Sequence, residues 1–100
     1  MNRLHERVDY LTETHIKYSS GRQQARISDV SLGGCFVDSI VHVREGEPIS
    51  ISVPIPDGRT LRLNGRVAYT MNGGGFGVDF TDLNDDDVSG LNALIATNGG

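Results

Sequence analysis

The chain has 100 residues, 37% of them apolar, a formal net charge of −4 and one cysteine. That length supports one domain, 1–100, with a modest core, and the lone Cys35 excludes an internal disulfide. No stretch approaches the ~20 apolar residues of a membrane span, the polar start does not read as a signal peptide, and an acidic balance argues against binding a nucleic-acid polymer.

These features point to a cytoplasmic domain with no direct membrane insertion. Eight of the nine basic residues are arginine, with Lys17 the one lysine. Arginine offers a planar fork for bidentate contacts, where lysine is a point charge. An acidic protein with local arginines suits a small anionic ligand.

In chain order, residues 1–7 hold Arg3-Leu4-His5-Glu6-Arg7, an RxxxR pattern, with little to bury beyond Leu4. Such an arm is expected to be mobile until something binds it. Val8 to Ser19 reads as a strand, with Val8, Tyr10, Thr12, Thr14, Ile16 and Tyr18 on one face. Ser19-Ser20-Gly21 marks a turn, and Gln23 to Val30 forms a second strand. Asp29-Val30-Ser31-Leu32-Gly33-Gly34, a DxSxxG pattern, turns the chain into a third strand over Cys35 to Val41.

After the Glu45-Gly46-Glu47-Pro48 loop, Ile49, Ile51, Val53 and Ile55 alternate with polar residues as in a half-buried strand. Pro56-Asp57-Gly58 turns into Thr60 to Met71, where Asn64-Gly65 is either a hairpin or a bulge in one long strand. Asn72-Gly73 closes the next hairpin and Gly75 to Phe80 forms the last strand.

The period then becomes helical over 84–97, with Val88, Leu91, Leu94 and Ile95 on one stripe. Asn84 suits the N-cap, Asp85 to Asp87 complement the helix dipole, and Leu83 with Val88 suits a hydrophobic staple. Gly90 weakens this helix by about 1 kcal/mol relative to alanine, and Gly99-Gly100 marks its stop. Five or six short antiparallel strands and a closing helix indicate an all-β barrel or sandwich over 8–80, with the helix plugging an end or covering a side.

RxxxR alone fits an ordinary exposed arm, and DxSxxG alone an ordinary turn. In conjunction, with 21 residues between them, one before the first strand and one after the second, they resemble the PilZ domain, the bacterial receptor family for cyclic di-GMP. Gly75-Phe76-Gly77-Val78-Asp79-Phe80 and the final helix resemble that family's closing elements, as core residues. The resemblance covers nearly the whole chain. It implies a six-stranded antiparallel split barrel with one C-terminal helix, and a second-messenger receptor without catalytic residues, metal or cofactor.

It also implies a cyclic di-GMP site at Arg3, Arg7, Asp29, Ser31, Gly33 and Gly34. Guanidinium matches phosphate and the O6/N7 edge of guanine, while a carboxylate matches the N1–H and N2–H donors. Ser31 would add a hydrogen bond, Gly34 would admit the ligand to the backbone, and Gly33 would serve the turn. Asn2, where some relatives carry a further arginine, implies one ligand per domain.

The expected mechanism is closure of the arm on the ligand, read by a downstream protein partner. Two alternatives are a PilZ-like adaptor that works through protein contacts alone and an oligonucleotide-binding barrel. Charge and the lack of a clear aromatic platform argue against the latter. Cys35 with His5, His15 or His42 could be a thiol–base pair, but a buried structural thiol is the simpler reading. The histidines lack metal-ligand spacing. Gly73 to Gly77 has no phosphate-loop lysine, and Asp82 and Asp85 to Asp87 lack an EF-hand pattern.

Overall fold

The structure is a computed structural model that describes residues 7–98. Six antiparallel strands run β1 Val8–Tyr18, β2 Gly21–Val30, β3 Gly34–Asp38, β4 Pro48–Pro54, β5 Thr60–Thr70 and β6 Phe76–Thr81, followed by helix α1 Asp85–Asn98. They close into a barrel in the order β1-β2-β3-β6-β5-β4. A short ladder, His15 to Lys17 of β1 against Ser50 to Ser52 of β4, closes the ring.

Alternation dictates the interior. Ile49, Ile51 and Val53 of β4 point inward, as do Leu61, Leu63 and Val67 of β5. On β1 the even-numbered face is the inner one, with Val8, Thr14 and Ile16 buried. Thr14 is the polar intruder. Its hydroxyl donates to the Ser52 carbonyl on β4, and among the described residues no buried side-chain nitrogen or oxygen is left unpaired.

Three bulges bend the sheet into the barrel, at Asp9/Thr12, Ile27/Asp29 and Val67/Tyr69. The second inserts Ser28, which lets both Ile27 and Val30 face the core although they lie three apart.

Asn64-Gly65 is not a hairpin: β5 runs through it, paired to β4 and β6 on either side. Glycine is needed there for space. A Cβ on Gly65 would lie 2.5 Å from the Asp79 carbonyl oxygen and 2.7 Å from a Val78 methyl. The third strand stops at Asp38, short of the expected Val41. There Ser39 turns the chain: its carbonyl accepts the Gly75 amide at 3.1 Å and its hydroxyl accepts the Val41 amide at 3.2 Å.

The helix packs against β1, against Leu61 at the start of β5 and against Ile55 just beyond β4. Leu91 and Leu94 are fully buried there. Each such leucine contributes roughly 1.5–3 kcal/mol by its burial. Asn84 and Asp87 cap each other reciprocally: the Asp87 amide donates to Asn84 Oδ1 at 2.8 Å and the Asn84 amide to Asp87 Oδ2 at 3.1 Å. Gly90 faces Leu61 and Ile55, and a Cβ would come within 2.9 Å of a Leu61 methyl. The glycine weakens the helix locally but lets it seat closely. The Gly99-Gly100 stop lies outside the described residues.

Gly65→Ala drives a methyl into backbone that cannot swing aside. It should cost about 1–3 kcal/mol, read as a lower urea midpoint with an unchanged slope.

Candidate functional site

The DxSxxG turn is built from within. The Ser31 amide donates to the Gly34 carbonyl at 2.8 Å. The Ser31 hydroxyl accepts the amides of Gly33 at 3.1 Å and Gly34 at 3.2 Å, and donates to the Gly34 carbonyl at 3.4 Å. The side chain is 5% exposed. Gly33 is fastened to β6 through its carbonyl, which accepts the Phe80 amide at 2.8 Å.

These contacts give two of the expected site residues a structural role as well. The Ser31 hydroxyl is occupied inside its own turn. Gly34 is required by β6, because a Cβ there would collide with the Val78 carbonyl oxygen.

Asp29 is presented outward by this frame, and Arg7 reaches it. Arg7 Nη1 donates to Asp29 Oδ1 at 2.9 Å, with the two side chains 43% and 24% exposed. A pair this open contributes about 0–1 kcal/mol to stability. It also leaves most of the five guanidinium N–H donors and the second carboxylate oxygen available. Asp9 lies directly across the strands from Asp29, so the local field is acidic beyond the one arginine. Arg3, the other half of RxxxR, lies outside the described residues.

The sheet register extends the site. Tyr69, Gly77, Phe36, Asp29 and Asp9 form one outward row across five strands. The Phe36 and Tyr69 rings lie 6.3 Å apart at 31°. Each covers a glycine: a Cβ on Gly77 would meet the Tyr69 ring, and one on Gly75 the Phe36 ring. Sequence reasoning missed this aromatic pair. Its signal is two glycines at the start of β6 that need covering. In the next row Arg66 faces Asp79 and Asp79 faces Gly34. Arg66 spends one donor on the Gly46 carbonyl at 3.0 Å.

Cys35 sits immediately beneath, 1% exposed. Desolvation pushes its thiol from an ordinary 9.0 up to about 12; the Asp29 charge adds to the rise and Arg7 opposes it. A thiol so raised is a poor nucleophile. Among the described residues no group of three or more His, Cys, Asp or Glu could hold a metal, and no helix is long and apolar enough to cross a membrane.

A closed six-stranded barrel with a C-terminal helix, carrying an arginine–aspartate pair beside its β2–β3 turn, has the architecture of a PilZ domain. The sequence profile of the PilZ domain matches residues 1–97, and the chain belongs to that family.

Solved structures agree on the fold. The PilZ domain of CeSA from a cellulose-synthesizing bacterium superposes with a TM-score of 0.73 at 20% identity, covering 92% of this chain and 96% of that one. The Bacillus subtilis inhibitor of motility (MotI/DgrA) gives 0.83 at 15% identity, covering 97% of this chain and 51% of that one. Borreliella burgdorferi PlzA, solved in complex with c-di-GMP, gives 0.73 at 17% identity, covering 93% of this chain and 40% of that one. Among curated proteins no sequence matches significantly.

Burial of the Cys35 thiol makes the fold sensitive to alkali. The buried neutral thiol supports the fold fully below about pH 9, and that support is lost as pH rises toward 12. Stability of the wild-type chain should therefore fall more steeply over this window than that of Cys35→Ala, as followed by urea melts at stepped pH. Native Cys35 should resist thiol reagents until the chain unfolds.

Proposed function

We propose that this domain is a cyclic di-GMP receptor whose ligand sits on the outer face of the barrel at the Arg7–Asp29 pair. The observation that carries the reading is that pair itself: residues 22 apart in sequence meet at 2.9 Å with donor and acceptor capacity to spare. Membership of the PilZ family and a structural neighbour solved with c-di-GMP support it.

Each partner has a role fitted to its chemistry. Arg7 keeps one N–H on Asp29 and turns its remaining donors to a phosphate or to guanine O6/N7, a contact that discriminates by roughly 1–3 kcal/mol. Asp29 Oδ2 accepts from the N1–H and N2–H edge, which adenine lacks. Arg3 completes the clamp as the 1–7 arm closes over the ligand. Ser31, Gly33 and Gly34 act by holding Asp29 in place, and the glycines keep the surface beside it low. Ordering the arm costs about 1–2 kcal/mol per residue, which the charge-assisted bonds must exceed. The closed arm and ligand together make a new surface for a protein partner to read.

Ligand at about 100 times its dissociation constant should stabilise the fold by about 2.7 kcal/mol. Thermal melting should rise by several degrees with cyclic di-GMP and much less with GMP. Arg7→Ala should abolish the rise and Arg22→Ala should preserve it. Calorimetric titration reports affinity and stoichiometry together. A flat response in both assays would leave the protein-contact adaptor as the reading.

A further inference from the structure

The outer face of β4 is a trough with cationic walls, remote from the Arg7–Asp29 pair. Its floor is low, being made by Ser50 and Ser52, with His15 and Lys17 of β1 on one side and Arg62 of β5 on the other. The cavity measures about 510 Å³. Arg22 extends the β1 wall, since it faces Lys17 directly across the β1–β2 hairpin. Val8, next to Arg7, and Lys17 lie nine positions apart along β1, a strand run of ~30 Å.

Two features set this face apart from an ordinary solvated sheet. First, the Lys17–Arg22 pairing sets like charges directly opposite one another, which is destabilising in an antiparallel sheet. Second, Lys17, Arg22 and Arg62 make no ion pair among the described residues, although the Glu47 carboxylate lies at the Ser19 amide beyond the end of the trough. The ion pairs among the described residues are Arg7–Asp29 and Arg59–Asp57. Glu13, further along β1, is engaged by Gln24 Nε2 at 2.7 Å, and Asp82 lies in the adjoining groove that Lys17 shares with Arg66. In a chain of net charge −4, three permanent cations gathered around one trough are a local inversion of sign.

We infer that this trough docks an extended acidic segment of a partner protein, through carboxylates received by Lys17, Arg22 and Arg62. The spacing fits a peptide. An extended chain lays alternate side chains on one face at ~6.6 Å intervals, the interval between His15 and Lys17 and between Ser50 and Ser52 along their own strands. Both edges of β4 are already paired, to β1 and β5, so contact is through side chains and the affinity is modest and salt-dependent. A nucleic-acid duplex, with a charge every ~1.7 Å, needs a longer basic track than these two rows and meets repulsion from the rest of the surface. The inference stands apart from the cyclic di-GMP reading, and Arg7 separates the two.

The test is fluorescence anisotropy with a dye-labelled peptide of alternating glutamate and serine, ten residues long, against the full chain at low and at about 0.15 M salt. Saturable binding should appear at low salt and weaken as salt rises. Lys17→Glu combined with Arg62→Glu should weaken it by about tenfold or more, and Arg22→Glu should weaken it too. Arg7→Ala should leave it unchanged. Arg22→Glu should also raise Tm by about 1–4 °C, because it turns a like-charge pair into an opposite-charge one. The proposal is overturned by absence of saturable binding, by equal binding in the charge-reversed variants, by tighter binding of an oligothymidylate of equal charge, or by a lower Tm for Arg22→Glu.

Discussion

The fold and the site both depend on how closely β3 and β6 approach each other behind the Ser31 turn. Gly34 lies where any side chain would strike the Val78 carbonyl. Gly33 takes the Phe80 amide through its carbonyl. The buried Ser31 hydroxyl ties off the turn amides that face neither strand. A buried turn would otherwise strand backbone donors at about 1–3 kcal/mol each. Serine meets that demand from within, so the bend leaving β2 has little freedom. Asp29, two residues before Ser31, inherits that rigidity, and a carboxylate fixed in advance loses little entropy when it binds.

Electrostatics around Asp29 follow from the same packing. Its neighbour across the strand is Asp9, and the sulfur below is a neutral, buried thiol. Among the described residues one guanidinium therefore faces two carboxylates, through a pair too exposed to matter much for stability. An arginine held that loosely, with unused donors, is suited to exchanging or sharing its partner. The adjoining Phe36 and Tyr69 rings cover glycines that let β6 lie flat, so this side of the barrel is smooth, half-apolar and charged at one edge.

The sequence was legible wherever one local period decided the outcome. Alternation in Ile49 to Ile55 and in Val8 to Tyr18 identified strands and their inner faces, and Asn84 with its aspartates located the helix start. It was ambiguous where space decided. Asn64-Gly65 carries turn chemistry, yet Gly65 is there because Asp79 and Val78 press against it from a strand eleven residues later. The roles of Ser31 and Gly34 were obscured for the same reason: turn, ligand contact and close strand approach favour the same residue types. Phe36 and Tyr69 lie 33 residues apart, and nothing short of the register places them on one row.

Register also explains why β1 can serve two surfaces. Its N-terminal end delivers Arg7 to the β2–β3 turn, and its far end sets Lys17 against Arg22 and beside the β4 floor. Between them the strand is inwardly tied by Thr14 to the Ser52 carbonyl and by Ile16 to the core. The β2 ladder runs along most of this strand, with one bulge between Asp9 and Thr12, while β4 pairs with it only at His15 to Lys17. The two ends of the strand therefore sit in different surroundings. The two proposed sites draw on different arginines, Arg7 at one end and Arg22 with Arg62 at the other.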